Sequence, residues 1–196
     1  MAWHDWIRTV EIEPALARAD PRAREVQVEA LLRTGCRVFH LDASDATPVW
    51  ALAPLLQRYG GVLDVHLHAV DPVARFGELA AAGAQSVTVD LGLVPDAADA
   101  VDAAHRNGLQ AGIALRPGDP PSSAAAADIV VVDALDVRRV AAGLPLGTRI
   151  QAEGDVDHDN VADLYAAGAT LLVVGEPIFS REDLPRAYRR LVQALA

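Results

Sequence analysis

Lysine is missing from this sequence: all 17 Lys+Arg residues are Arg. Its absence excludes a lysine Schiff base, and with it one class of aldolase mechanism and the usual attachment of pyridoxal phosphate. Cysteine occurs once, as Cys36. A single thiol forms no intrachain disulfide, and its place at the head of an apolar strand suits a small buried hydrophobe rather than a nucleophile. Aromatic residues are 5% of a chain that is 52% hydrophobic, so the core is expected to consist of Ala, Val and Leu. Positive charge is also scarce: the net charge is -10 and the isoelectric point is near 4.9, which argues against a nucleic-acid or anionic-membrane partner. No apolar run approaches the roughly 20 residues of a membrane span. The opening Met1-Ala2-Trp3-His4-Asp5-Trp6 lacks a signal-peptide layout, so a cytoplasmic protein is expected.

What the chain does contain is a repeated joint. Leu31-Leu32-Arg33-Thr34-Gly35, Leu79-Ala80-Ala81-Ala82-Gly83, Ala103-Ala104-His105-Arg106-Asn107-Gly108 and Leu164-Tyr165-Ala166-Ala167-Gly168 each close a helical pattern on glycine before a Val- or Leu-rich run. Strands are expected near 9–14, 37–42, 62–67, 86–90, 110–115, 128–132, 148–153 and 171–174, with a helix after each. One helix is expected from Pro21 to Thr34 with Asp20 as its N-cap, a second from Thr47-Pro48 to about Tyr59, and the last from Asp183 to Leu195. Eight strands alternating with eight helices and no hairpin signals indicate a compact (β/α)₈ barrel, built as one domain over 1–196 with a short N-terminal extension at 1–8. The chain is short for that fold, so its loops must be short.

The polar residues concentrate where such a barrel keeps its chemistry, at the C-terminal ends of the strands. Arg37-Val38-Phe39-His40-Leu41-Asp42 ends on His40 and Asp42, and Val62-Leu63-Asp64-Val65-His66-Leu67-His68 ends on His66 and His68. Side chains two residues apart on a strand share a face. An imidazole and a carboxylate aimed at one point can hold a divalent cation or move a proton. Taken singly, Asp90, Asp133 and Asp155 are expected to be solvated loop acids.

With these residues in view the chain resembles the ribulose-phosphate 3-epimerase family over roughly residues 9 to 195. The resemblance rests on Pro14-Ala15-Leu16-Ala17-Arg18-Ala19-Asp20, His40-Leu41-Asp42-Ala43-Ser44-Asp45-Ala46, Asp64-Val65-His66-Leu67-His68, Ala152-Glu153-Gly154-Asp155 and Gly175-Glu176-Pro177-Ile178-Phe179. It implies one divalent metal ion (zinc, iron or manganese) on His40, Asp42, His66 and Glu153. It further implies that Asp42 and Glu153 are the acid/base pair, and that a sugar substrate lies near His68, Gly154, Asp155, Gly175 and Glu176.

Several positions depart from the family pattern. Glu153 stands in place of an Asp and so reaches about 1.5 Å further. His68 stands where the family has Met, and a glycine-rich phosphate loop after the sixth strand is missing. Asp155 and Glu176 occupy phosphate-contacting positions. A carboxylate about 5 Å from a phosphate dianion opposes binding by roughly 6 kcal/mol at an effective dielectric of about 20. The expected activity is divalent-metal-dependent epimerisation or isomerisation of a sugar, as in the family, on a substrate that need not carry a phosphate. The alternatives are a non-catalytic relative that keeps the barrel for assembly or regulation and, third, a metal-dependent hydrolase suggested by His66-Leu67-His68. Homo-oligomerisation is left open.

Overall fold

A computed structural model of the chain describes residues 10–44, 53–145 and 147–195. Eight strands run parallel: β1 (Glu11–Pro14), β2 (Val38–Ser44), β3 (Val62–His68), β4 (Ser86–Asp90), β5 (Gln110–Ala114), β6 (Ile129–Asp133), β7 (Arg149–Glu153) and β8 (Leu171–Val174). They form one sheet in the order β1-β8-β7-β6-β5-β4-β3-β2, and a parallel bridge between Ala15 and His40 brings β1 beside β2, nearly closing a (β/α)₈ barrel. The thinness of that seam follows from the sequence. The N–H groups of Glu11 and Ala15 donate to the carbonyls of Thr170, just before β8, and Val174 of β8, so the alternate residue Pro14 faces β2, where it has no N–H to give.

The helices are α1 (Arg24–Arg33), α2 (Ala53–Arg58), α3 (Phe76–Ala81), α4 (Ala97–Arg106), α5 (Val137–Ala141), α6 (Val161–Ala166), α7 (Glu176–Phe179) and α8 (Leu184–Ala194). The glycines at the repeated joints do what the pattern asks of them: Gly35, Gly83, Gly108 and Gly168 all have positive φ, between 76° and 116°, a conformation that side chains with a Cβ avoid. Asp183 caps α8 by accepting from the N–H of Arg186 at 2.9 Å.

Two expectations about helices are corrected. The helix expected from Pro21 starts at Arg24, and Asp20 instead accepts from Arg22 N–H at 2.9 Å in a local turn. After β5 there is only a short 3-10 turn, Pro121–Ala124, among the described residues. Pro117, Pro120 and Pro121 remove backbone donors and disfavour helical geometry in the residues before them, so no α-helix can nucleate there. The expected N-terminal extension and the expected helix start at Thr47 lie outside the described residues.

Strand alternation divides the core in two. Residues such as Phe39, Leu41, Leu63, Val65, Leu67, Val130, Val132 and Leu172 pack outward against Val28, Leu31, Leu79 and Val101 of the helices. The alternate positions fill the lumen, where Val38, Val62, Ala114, Ile129, Val131 and Leu171 form a separate apolar cluster. Because Val38 points inward, so must His40 and Asp42, and the same parity carries Asp64, His66 and His68 inward from Val62. No helix among the described residues is long and apolar enough to cross a membrane.

Candidate active site

The register of the sheet sets His40 beside Asp64, Asp42 beside His66 and Ser44 beside His68. His40 is 1% exposed, and its Nδ1 lies 2.8 Å from Asp64 Oδ2. That contact orients the ring and leaves Nε2 directed at the mouth of the barrel, 3.6 Å from Asp42 Oδ1 and 3.3 Å from Glu153 Oε1. His66 Nδ1 is 3.4 Å from Glu153 Oε2. The four residues expected to share a cation therefore come together, from three different strands.

Asp64 is the keystone of this arrangement, and sequence reasoning gave it no role. Fully buried, it accepts from Ser86 Oγ and from Gln151 Nε2 at 2.9 Å while facing His40. Gln151 also donates to Glu13 Oε2 on β1. The signal was present in the sequence: Asp64 precedes His66 by two residues and Gln151 precedes Glu153 by two, so each sits one layer deeper on the same face. Asp90 is a second correction. It does not behave as a solvated loop acid but turns toward the site, 3.6 Å from His66 Nε2 and 3.2 Å from His68 Nδ1. Asp133 does cap its own loop, accepting from the N–H of Leu135 at 2.8 Å.

The charges of this cluster are strongly coupled. Burial pushes the His40 ring toward neutrality, but Asp42, Asp64 and Glu153 outweigh it and hold the ring well above the usual histidine range. His66 behaves alike: burial opposes protonation, yet contact with Asp90 and Glu153 raises it to about 9. Asp42 is lowered to about 2, chiefly by His40, and Asp90 to about 2, chiefly by His66. Burial, then Asp64, raises Glu13 well above the carboxylate range. Asp64 is itself lowered, although burial acts the other way, because His40, Ser86 and Gln151 all donate to it.

A divalent cation fits this donor set. Four of its buried polar atoms, His40 Nε2, His66 Nδ1 and Nε2 and Glu153 Oε1, have no hydrogen-bond partner, and orphaned buried polar atoms in a native fold call for an explanation. In a tetrahedral site with bonds of about 2.1 Å the ligand atoms stand about 3.4 Å apart, which matches the 3.3–3.6 Å separations here. Single donor atoms of His40, Asp42 and His66 also lie within 4.8 Å of one another. Imidazole with carboxylate suits zinc, iron or manganese.

A cavity of about 870 Å³ opens beside this cluster, lined among others by His40, Asp42, Glu153, Gly154, Asp155, Gly175 and Glu176. Of the residues expected to face a substrate, only His68 is not part of this lining; it stands on the other side of the cluster with Asp90. The cavity also holds Arg18, Arg181 and Arg190, which the sequence did not single out. A Cβ on Gly175 would meet Arg18 Cγ at 2.8 Å, so glycine there is what lets Arg18 lie across the end of β8. Burial and then the charges of Arg190 and Arg181 lower His158, which marks these three as neighbours.

Comparison with known proteins agrees with this architecture. The model of the ribulose-phosphate 3 epimerase family matches residues 11–137. The chain is 28% identical to ribulose-phosphate 3-epimerase of Escherichia coli K12, covering 94% of this chain and 96% of that protein. It is 26% identical to the chloroplastic ribulose-5-phosphate-3-epimerase of Arabidopsis thaliana, covering 91% and 74% respectively. Among solved structures it is similar to orotidine 5'-phosphate decarboxylase of Pyrococcus horikoshii, with a TM-score of 0.77 at 16% identity over 94% of this chain and 98% of that one. A 3-hexulose-6-phosphate synthase gives 0.74 at 15% identity over 95% and 100%. Both speak to the barrel alone.

Proposed function

The chain belongs to the ribulose-phosphate 3-epimerase family, and from that premise we propose that it is a divalent-metal-dependent ketose epimerase in which Asp42 and Glu153 move the proton on the carbon beside the ketone. The observation that carries this reading is the approach of two carboxylates, from β2 and β7, to a single histidine nitrogen. Inverting a carbon next to a carbonyl requires one group to remove its hydrogen and another to return one to the opposite face. Two carboxylates on different strands meet that requirement, and family membership supports an isomerase-type enzyme.

His40, Asp42, His66 and Glu153 would hold the cation, which when bound supplies stabilisation of the negative charge that develops on the oxygen beside the reacting carbon. Asp64 holds His40 through Nδ1 and so keeps Nε2 facing Asp42 and Glu153, where the cation would sit. Glu153 reaches His40 Nε2 at 3.3 Å, so the longer side chain is accommodated. The exposed Asp42 and the half-buried Glu153 both line the cavity and would meet the sugar there.

The favoured substrate is an unphosphorylated ketose, because Asp155, Asp157, Asp159 and Glu176 all line the cavity beside the catalytic acids. A second reading, a ketose phosphate, is favoured by Arg18, Arg181 and Arg190, whose guanidinium groups can pair with phosphate where a glycine-rich loop is missing. Incubation with a panel of ketoses and ketose phosphates in deuterated water tests both. Washing of deuterium into the carbon beside the ketone is expected with an unphosphorylated ketose. Rapid exchange into ribulose 5-phosphate at micromolar concentration would transfer the assignment to the arginines. No exchange into any ketose by metal-loaded protein would make the chain a non-catalytic relative.

A further inference from the structure

A single cation on His40, Asp42, His66 and Glu153 leaves one of the cluster's four orphaned atoms, His66 Nε2, unexplained. His66 is 5% exposed and neither of its ring nitrogens has a hydrogen-bond partner. Nδ1 faces Glu153, but Nε2 is on the opposite side of the ring, 3.6 Å from Asp90 Oδ1. His68 stands there as well, with Nδ1 3.2 Å from Asp90 Oδ2 and Nε2 3.6 Å from Asp42 Oδ1. The rings of His66 and His68 are 4.2 Å apart, centre to centre. One donor atom from each of His66, His68 and Asp90 lies within 4.8 Å of the others.

The ordinary account of this group is a hydrogen bond between His68 and Asp90, which explains those two residues. It does not explain His66 Nε2, a buried donor or acceptor 3.6 Å from Asp90 Oδ1 with no hydrogen-bond partner. Separations of 3.2 to 3.6 Å are again those of atoms sharing one ion. The parity of β3 makes the arrangement possible. His66 and His68 point the same way one layer apart, so a histidine on the rim adds a ligand above an existing one.

We propose that this rim binds a second divalent cation through His66 Nε2, His68 and Asp90, with the His66 ring bridging it to the cation held by His40, Asp42 and Glu153. The inference rests on the reading of that first centre, since a bridge needs an ion at Nδ1 too. Bridging removes both ring protons from His66, and they leave to solvent. Two imidazole nitrogens and one carboxylate select a borderline ion such as zinc or cobalt(II). The half-exposed His68 leaves the fourth position open to water or to an oxygen of a ligand.

The test is equilibrium dialysis of the chelator-stripped full chain against cobalt(II), with metal content and spin coupling between bound ions as readouts. About two ions per chain, magnetically coupled, are expected in the native sequence, falling to about one uncoupled ion in a His68→Gln, Asp90→Asn double variant. Both substitutions lie at the rim, and circular dichroism verifies that the barrel is retained. One ion in both proteins would overturn the second site and leave the first intact. Two ions in both would put the extra ion elsewhere on this acidic chain and likewise overturn it. No ion in the native sequence would overturn both sites together.

Discussion

The two walls of the barrel lumen differ sharply although the same backbone pattern builds both. On the β5 and β6 side the inward residues include Ala114, Ile129 and Val131, which form an apolar cluster with Val38, Val62 and Leu171 at the starts of β2, β3 and β8. On the side of β2, β3, β4 and β7 the inward residues include His40, Asp64, His66, Ser86, Thr88 and Gln151, all buried and all polar. Parity alone decides which residues face the lumen; the choice of residue decides whether that face packs or reacts. The polar wall survives burial because its deepest member, Asp64, accepts from three groups at once. Nearer the mouth His40 Nε2, both ring nitrogens of His66 and Glu153 Oε1 lack partners, and there a cation would supply them.

The largest effect should come from removing that deepest member. Asp64→Ala deprives His40, Ser86 and Gln151 of a common acceptor in a buried site, and breaking such a pair typically costs about 3–5 kcal/mol. Urea denaturation of the metal-free protein measures it. A loss below about 1 kcal/mol would mean the polar wall tolerates an unpaired His40, and the contrast between the walls would lose its physical basis.

Next in size is the contrast between two histidines of one strand. His66→Ala should remove more bound metal than His68→Ala, because His66 faces both Glu153 and Asp90 while His68 stands only at the rim. Metal analysis after dialysis decides it, and equal losses would show that the depth of a ligand on β3 does not matter.

The pH dependence should be smaller and should distinguish metal-free from loaded protein. His66 is raised in the fold from 6.5 to about 9. Its contribution to stability is therefore complete below about 6.5 and is lost as pH rises through about 9. The thermal midpoint of the stripped protein should fall over that window, and that of the loaded protein should not, since an ion then neutralises the carboxylates. Parallel behaviour of the two forms would contradict the coupling. At the bottom of the scale, Ile129→Val on the apolar wall should lower stability by about 0.5–1.5 kcal/mol and leave metal content unchanged. Loss of metal there would show that the walls are not independent.

How much of this was legible in the sequence follows the same division. The two-residue spacing of His40 with Asp42 and the strand-end positions of His66 and Glu153 put these side chains on one rim, because strand parity is rigid; their choice as one ligand set came from the family resemblance. Asp64 and Gln151 obey the same rule one layer down but were given no role, since a polar residue in the middle of an apolar run carries no strand-end signal. Asp90 was misjudged because one loop acid looks like another until its neighbours are known. Arg18, Arg181 and Arg190 come from segments after β1, after α7 and within α8, and no local spacing links them. The missing helix after β5 was foreshadowed by three prolines that the alternation of strands and helices outweighed.

The central claim is that Asp42 and Glu153 serve opposite faces of one carbon. It is tested most directly by measuring inversion and solvent exchange separately in Asp42→Asn and Glu153→Gln, on whichever ketose the native chain converts, with metal content checked in each. Each variant should invert about 10²–10⁴-fold more slowly, yet each should still exchange the hydrogen of the one epimer that faces its intact carboxylate. Inversion by a metal-loaded Glu153→Gln variant at the native rate would contradict the account.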